Sequence, residues 1–412
     1  MENPELLLTS SQTSQQFSVC LWDYNTKNIL KAYKNGGTVS CKTLDFIGRD
    51  YLLTGELNKP LLHIWPANGQ EQDKNIRLVL PGPATCLSVC PKSNYLAIGI
   101  DTKLYIWQLC SGKLLSVQQK HYQPITCIKL SSESEYVAVG GEDGLLVVYY
   151  LADLIAIQHS LLTQSKIGQV EPIYSKHDHS MPIRDIHIGQ FGSNSRLATV
   201  SSDQTCRLYS LSNGETLLTL VFGEPLTSVI FDSPCWQLYV GTNSGAIHQF
   251  NLKNPPRALT YHINKKSSEQ FIGHKGKVIG IALNINNTIL ASGSDDNFVF
   301  TWEINSKQIL QKFEHKAAVT NLKFVANFKN FFEQSFRPGI VVKSLDRALD
   351  ISDDEFVVSV IQNEDIEISD DENVLEKEKS RDELTKENMK LRITNYQLYR
   401  AALEISKKYN NR

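Results

Sequence analysis

The sequence predicts an all-β fold, a seven-bladed β-propeller that is followed by an acidic linker and a C-terminal α-helix. Short apolar runs that end in an aromatic residue recur seven times, at Trp22, Trp65, Trp107, Tyr149, Tyr209, Phe250 and Trp302. The spacings between these aromatic residues are 43, 42, 42, 60, 41 and 52 residues. Four of the spacings match the period of ~40–45 residues that is typical of four-stranded propeller blades. One strand-like run, Ala318 to Phe324, is left over after the seventh unit.

The order of strands also predicts how the ring closes. The chain begins with a strand at Glu5 and continues to the Trp22 strand, so the first blade lacks its opening strand. Pairing of residues 318–324 with the N-terminal strands supplies that strand and removes the exposed sheet edges. We therefore expect residues 1–326 to form the propeller. The two long spacings predict insertions at Asp153 to Lys176 and at Lys253 to Glu269, which we expect to be surface loops.

One set of polar residues is spaced to form a buried hydrogen-bonded chain inside the seventh blade. The set consists of His274, Ser292, Asp296 and Trp302. Aspartates in the corresponding turns, six residues before the aromatic residue of blades three to five, are Asp101, Asp143 and Asp203. A buried polar chain of this kind must be fully satisfied, and it then fixes a single geometry.

A histidine, a serine and an aspartate can also indicate a hydrolase. A catalytic serine, however, needs an exposed hydroxyl beside a base and an oxyanion site. Because these residues recur in a repeat and are expected inside the blades, we interpret them as structural and predict no catalytic residue. His177 and His179 flank Asp178, but no third ligand at metal-binding spacing is visible. We therefore predict no metal site and no cofactor.

Composition excludes several other classes of protein. The chain has 412 residues, a formal net charge of −2 and 41% apolar residues, so it can bury a large core and has no general attraction to nucleic acid. None of the eight cysteines forms a CxxC pair, which favours reduced thiols inside the cell. The acidic start MENPELLLTSS does not resemble a signal peptide. No run approaches the ~18 apolar residues that span a bilayer, so we expect a soluble protein of the cytosol or nucleus.

The sequence changes in character after the ring. Residues 327–349 include the aromatic stretch NFKNFFEQSFRPG, and we expect them to pack on the rim of the propeller or on a partner. Residues 350–383 contain fourteen acidic and three basic residues, a composition that is typical of a disordered linker. Ser352 and Ser369, each followed by three acidic residues, resemble sites of acidophilic kinases.

The last segment, residues 384–410, has the pattern of a coiled-coil helix. Apolar residues recur every seven positions at Leu384, Leu391, Leu398 and Ile405, which favours contact with another helix over a lone helix on the propeller. The pattern leaves open whether the contact is a homodimer or a mixed coiled coil.

Several longer segments carry a resemblance to a known family. GHKGKVIGIALNINNTILASGSDDNFVFTWEI is similar to a WD repeat along its whole length. Together with PGPATCLSVCPKSNYLAIG, KHYQPITCIKLSSESEYVAVGGEDGLLVVY, MPIRDIHIGQFG and the SFRP of Ser335 to Pro338, it resembles the WD-repeat subunit of the rixosome, a nuclear ribosome-maturation complex. Tyr149 and Tyr209 stand where tryptophan is common in the family.

The resemblance implies a scaffold that acts in maturation of the large (60S) ribosomal subunit, including processing of the second internal transcribed spacer of pre-rRNA. It also implies as partners a large helical-repeat subunit, a smaller helical subunit and the pre-60S particle. The implied location is the nucleus, in nucleolus and nucleoplasm. No membrane partner is expected, and direct RNA contact is expected to be weak or indirect because the basic residues are scattered.

The main alternative is an adaptor propeller of another nuclear complex, such as the substrate receptor of a ubiquitin ligase. Such receptors often carry an arginine two positions after a Trp-Asp dipeptide. Here Trp22-Asp23 is followed by Tyr24 and Asn25, so that feature is absent.

Overall fold

The computed structural model of the chain describes residues 5–13, 17–73, 75–160, 169–263, 269–333 and 335–349. The chain divides into a unit of residues 1–354 and a unit of residues 355–412. All of the described residues lie in the first unit. The acidic linker with Ser352 and Ser369 lies outside the described residues. The predicted helix with Leu384, Leu391, Leu398 and Ile405 does so too.

The described residues form seven separate sheets, which confirms the predicted seven-bladed all-β propeller. Blade 1 contains β1 (Glu5–Ser11), β2 (Val19–Trp22), β3 (Ile29–Tyr33) and the last strand of the chain, β29 (Val319–Ala326). Blade 2 contains β4 (Val39–Ile47), β5 (Tyr51–Glu56), β6 (Leu61–Pro66) and β7 (Leu78–Val79). Blade 3 contains β8 (Cys86–Val89), β9 (Tyr95–Ile100), β10 (Lys103–Gln108) and β11 (Leu114–Gln118).

The remaining blades follow in chain order. Blade 4 contains β12 (Ile125–Leu130), β13 (Tyr136–Gly141), β14 (Leu146–Tyr150) and β15 (Tyr174–Lys176). Blade 5 contains β16 (Ile183–Ile188), β17 (Arg196–Ser201), β18 (Thr205–Ser210) and β19 (Thr216–Val221), and β23 (Thr260–His262) joins its outer edge. Blade 6 contains β20 (Leu226–Phe231), β21 (Gln237–Thr242), β22 (Ile247–Asn251) and β24 (Glu269–Phe271). Blade 7 contains β25 (Val278–Leu283), β26 (Ile289–Ser294), β27 (Phe298–Glu303) and β28 (Ile309–Glu314).

Each of the seven aromatic residues lies on the third strand of its blade, counted from the centre of the ring. Six of them are less than 9% exposed, and the seventh, Phe250, is partly buried. The innermost strands are β29, β4, β8, β12, β16, β20 and β25, and each contacts the next around the ring. The core therefore lies between neighbouring blades, where the apolar faces of their sheets meet.

The ring closes through antiparallel pairing of β29 with β1. The register runs from Glu5 opposite Ala326 to Ser10 opposite Asn321. Asn321 also ties blade 1 to blade 2. Its amide nitrogen donates to Ser10 Oγ at 2.9 Å and to the Ser40 carbonyl at 2.8 Å, and its amide oxygen accepts from the Thr43 N–H at 3.1 Å. A single buried side chain thus links the two ends of the ring to the neighbouring blade.

We expected the two insertions to be surface loops, but each of them contains regular secondary structure. The first begins with a helix, α1 (Leu151–Ser160), whose Leu151 and Leu154 are buried in the core between blades 3 and 4. The second contributes β23, which pairs in parallel with β19. The described parts of both insertions therefore extend the packed structure, through buried leucines of α1 in the first and through strand pairing of β23 in the second. Among the described helices, none has the length and apolar content needed to cross a membrane.

Residues 327–349, which we call the strap, run from the end of β29 across blades 1 to 3. Phe331 is fully buried against the core that includes Trp65. Asp50 Oδ2 accepts hydrogen bonds from the N–H groups of Gly339 at 2.7 Å and Ile340 at 3.0 Å. Val342 and Leu345 then pack into the core of blades 2 and 3. The strap also contains a short 3₁₀ turn, Lys329–Phe331.

Replacement of the closing amide tests how far the ring depends on this joint. We expect Asn321→Ala to lower the free energy of unfolding by about 2 to 3 kcal/mol, because the buried Thr43 N–H and Ser40 carbonyl lose their partner. Urea unfolding followed by fluorescence measures the change. The matched control is Asn94→Ala, which removes an exposed amide and should change stability by less than about 0.5 kcal/mol. Equal effects of the two substitutions would contradict the role of Asn321.

Candidate functional site and interaction surfaces

The four polar residues singled out in blade 7 form one continuous hydrogen-bonded chain. His274 Nδ1 lies 3.1 Å from Asp296 Oδ2, and His274 Nε2 lies 2.7 Å from Ser292 Oγ. Trp302 Nε1 donates to the same Ser292 Oγ at 2.8 Å. The backbone N–H of Lys275 donates to Asp296 as well. The chain thus joins the loop before the blade, its second and third strands, and the turn between them.

The electrostatics of this chain favour a neutral histidine and a charged aspartate. Burial lowers the pKa of His274, although Asp296 opposes the shift. Burial opposes ionisation of Asp296, but hydrogen bonds from Lys275 and the contact with His274 hold the pKa of its carboxyl below the usual value. With Nδ1–H donating to Asp296, Nε2 can accept the hydroxyl proton of Ser292, so every polar atom has a partner.

Blade 5 repeats both histidine contacts of this arrangement, and blade 4 repeats only the contact with aspartate. In blade 5, His179 contacts Asp203 at 2.9 Å and Thr199 Oγ1 at 2.8 Å, and hydrogen bonds overcome the effect of burial to lower the pKa of Asp203 to about 2. In blade 4, His121 contacts Asp143 at 3.1 Å. The residue that corresponds to Ser292 is Val139. His121 Nε2 is therefore buried without a hydrogen-bond partner in the described structure.

Asp101 does not take the role that its spacing predicts. Ile100 pairs with Lys103, so the turn of blade 3 has only two residues. In blade 7, β26 ends at Ser294 and β27 begins at Phe298, so the turn has three residues and Asp296 stands at its middle. Asp101 is exposed, adopts a left-handed backbone (φ 52°) and makes no side-chain hydrogen bond within the described part of the chain. The shorter turn, and the absence of a histidine before this blade, explain the difference.

Sequence reasoning missed three further polar groups. In blade 1, His315 and Trp22 occupy the corresponding positions, and Trp22 Nε1 donates to Thr9 Oγ1 at 2.8 Å. In blades 2 and 6 the histidine lies on the third strand instead and contacts a glutamate. These pairs are His63 with Glu56 at 3.1 Å and His248 with Glu224 at 3.3 Å. The signal for both was a histidine two residues before the blade aromatic.

The hydroxyl of the blade 7 set is not available for chemistry. Ser292 is fully buried, and its oxygen already contacts both His274 and Trp302. Asp178 accepts a hydrogen bond from Tyr209 at 3.1 Å, so it too is engaged inside a blade. No group of three potential metal ligands occurs among the residues that the structure describes.

Trp107 uses its indole to hold the strap. In this blade the residue that corresponds to Ser292 is Ile98, which offers no hydroxyl. Trp107 Nε1 instead donates to the Asp346 carbonyl at 2.8 Å. The Asp346 N–H donates to the Gly112 carbonyl at 2.9 Å. Gly112 has a φ of +76°, and a Cβ there would lie 2.0 Å from the Ser344 oxygen, so the strap requires glycine at this turn.

The ring has two distinct ends. The turn end carries the turns between second and third strands, including Asp143, Asp203 and Asp296. The opposite end, which we call the strap end, carries the turn at Gly112. Between them, a central cavity of about 280 Å³ is lined by innermost strands. Lys42 of blade 2 reaches across it to Asp185 of blade 5, with 3.3 Å between Nζ and Oδ1.

Both ends expose apolar side chains. At the strap end, Phe191, Trp236 and Ile285 occupy corresponding loops of blades 5, 6 and 7, and they are 55%, 51% and 67% exposed. Lys253 lies 4.2 Å above the Trp236 ring. The strap lies on blades 1 to 3, so these side chains remain in a sector that it does not cover. Exposed apolar groups on successive blades are typical of protein-binding surfaces.

Comparison with known proteins agrees with this architecture. The model of the family "WD domain, G-beta repeat" matches residues 112–149 and 265–303. WD repeat-containing protein 18 of Danio rerio is 30% identical over 352 residues, which cover 85% of this chain and 79% of that protein. Pre-rRNA-processing protein pro-1 of Caenorhabditis briggsae is 27% identical over a region that covers 78% of this chain and 60% of that protein. Pre-rRNA-processing protein IPI3 of Eremothecium gossypii is 33% identical over a region that covers 48% of this chain and 40% of that protein.

The blade networks can be tested by removing and restoring one hydroxyl. Ser292→Ala leaves His274 Nε2 and Trp302 Nε1 buried without a partner, so we expect a loss of about 2 to 4 kcal/mol in the free energy of unfolding. Val139→Thr places a hydroxyl opposite the unpartnered His121 Nε2, and we expect a gain of about 1 kcal/mol. Denaturant titration measures both. A stabilising Ser292→Ala or a strongly destabilising Val139→Thr would contradict this account.

Buried neutral histidines predict a loss of stability in mild acid. Burial lowers the pKa of His315 to about 4, and burial with the nearby Lys129 lowers the pKa of His187 to about 4. Between pH 6.5 and pH 4 the unfolded chain therefore binds more protons than the folded chain, and stability falls as pH falls through this window. Melting temperatures at pH 7 and pH 5 should differ less in His315→Phe than in the native protein. The exposed His262→Phe serves as control and should leave the difference unchanged.

Proposed function

Because the chain belongs to the family of WD repeat-containing protein 18, we propose that it is a non-catalytic scaffold subunit of a nuclear complex that matures the large (60S) ribosomal subunit. The proposed role includes processing of the second internal transcribed spacer of pre-rRNA. The observation that carries this proposal is the similarity that extends along most of the chain, together with matches to proteins named for pre-rRNA processing.

The geometry supports a scaffold more than an enzyme. The histidine, serine and aspartate side chains of the blades hydrogen-bond to one another and hold the strands together. What the ring offers to solvent is a set of loops with exposed apolar side chains at both ends. A rigid ring that presents several such surfaces suits the assembly of partners.

We further propose the partners and the location that the resemblance implies. The partners are a large helical-repeat subunit, a smaller helical subunit and the pre-60S particle, and the protein acts in nucleolus and nucleoplasm. The segment of Leu384, Leu391, Leu398 and Ile405 is proposed to bind a partner helix, either from a second copy or from another subunit. Contact with RNA is indirect in this proposal.

Affinity purification from nuclear extract tests the proposal. The tagged full chain should recover a helical-repeat protein and pre-60S proteins, and depletion of the chain should cause precursors that contain the second internal transcribed spacer to accumulate. Mass spectrometry and RNA blotting measure these outcomes. A parallel chain that ends at Asp382 should retain the ring but lose a helix partner or half its native mass, because the seven-residue apolar repeat is removed.

Two outcomes would contradict the proposal. Recovery of ubiquitin-ligase subunits without ribosomal precursors would favour the adaptor alternative. Particle binding that weakens steeply with salt would indicate direct contact with RNA phosphates, because such binding releases counterions.

A further inference from the structure

Three cations lie on or next to innermost strands, toward the turn end of the central cavity. Arg184 is the second residue of β16, and Lys277 immediately precedes β25, so both lie at the turn end of innermost strands. Lys42 of β4 faces them from across the ring, beside Cys41. At the position of Arg184, the neighbouring blades 4 and 6 carry Thr126 and Thr227, which hydrogen-bond to the carbonyls of the next blade. We call Lys42, Arg184 and Lys277 the basic mouth.

Only one of these charges is neutralised within the described structure. Lys42 is paired with Asp185. Arg184 donates through Nε to Ser202 Oγ at 2.9 Å, but its guanidinium has no carboxylate partner among the described residues. Lys277 is half-buried, and its side chain has neither a hydrogen bond nor an ion pair among the described residues. Burial lowers the pKa of Lys277, and repulsion by Arg184 and Lys42 adds to this effect, while Cys41 and Asp295 oppose it.

Exposed apolar side chains also lie at the turn end, in the loops that lead into the inner strands. Tyr122, Met181 and Ile272 lie in the loops that precede blades 4, 5 and 7, and they are 90%, 49% and 74% exposed. Met181 is three residues from Arg184, and Ile272 is five residues from Lys277. Half-buried cations beside exposed apolar groups form a surface that complements a ligand with negative charge and apolar flanks.

We propose that the basic mouth binds an acidic peptide segment of a protein partner, with a carboxylate between Arg184 and Lys277 and apolar side chains on Tyr122 and Met181. A carboxylate accepts hydrogen bonds from both cations and relieves their mutual repulsion. A nucleic acid fits less well, because it needs a basic groove with stacking platforms along several nucleotides. This inference rests on the proposed scaffold role and names a surface and a ligand chemistry for it.

Fluorescence anisotropy with the full chain tests the proposal directly. The probe is a labelled peptide of sequence LDEDLDEF, and its amide analogue LNQNLNQF is the charge control. We expect the acidic peptide to bind, its affinity to fall with salt, and the amide analogue to bind at least roughly tenfold more weakly. Lys277→Gln and Arg184→Gln should each weaken binding of the acidic peptide roughly tenfold.

Two further variants separate the parts of the surface. Lys275→Gln removes an exposed charge two residues from Lys277, and it should leave the affinity within about twofold. Tyr122→Ser should weaken binding without changing its dependence on salt, because it removes apolar contact only. Circular dichroism checks that each variant retains the fold.

The proposal is overturned if the acidic peptide does not bind. It is also overturned if Lys275→Gln weakens binding as much as Lys277→Gln, or if a single-stranded RNA oligonucleotide binds the native chain more tightly than the peptide and loses affinity in the same variants. These outcomes concern only the basic mouth. Recovery of pre-60S proteins by the full chain is measured separately, so the proposed function can stand if the peptide fails, and the reverse also holds.

Discussion

The pairing of β29 with β1 is the constraint on which the rest of the structure depends. A ring of separate sheets closes only if its last strand joins its first blade, because blade 1 would otherwise lack its innermost strand and leave β1 unpaired on that side. Here the innermost strand of blade 1 comes from the end of the ring and the other three come from its beginning. Asn321 then bonds to Ser10 in the same blade and to Ser40 and Thr43 in the next. Because the strap starts directly after β29, closure also determines where the strap meets blades 1 and 2.

Within this closed ring, the buried polar groups are hydrogen-bonded differently from one blade to the next. Blade 7 does so with four side chains, and blade 4 keeps a histidine whose Nε2 has no partner in the described structure. Where the second strand offers no hydroxyl, the indole turns to the backbone of another segment, as Trp107 does with Asp346. One departure from the repeat thus leaves a buried polar atom without a hydrogen bond, and another attaches the strap.

The sequence was enough to predict the number of blades and the closing strand, because each blade places one aromatic residue on its third strand and Ala318 to Phe324 had no other place. The hydrogen-bonded chain that includes His274 could also be predicted, because its four residues stand at the spacing that is typical of the repeat. The sequence could not predict the failure of Asp101, which depends on a turn one residue shorter. Nor could it predict α1 or β23, because both are short segments whose structure depends on contact with a neighbouring blade.

Native-state hydrogen exchange of β1 and β29 tests the central claim, that the ring is one cooperative unit closed by these strands. If the claim is correct, the paired amides of β1 and β29 exchange only through global unfolding, with the same protection as the inner strands of blades 4 and 5. Early exchange of β29, while blades 4 and 5 remain protected, would show that the ring stands without its closing strand and would contradict this account.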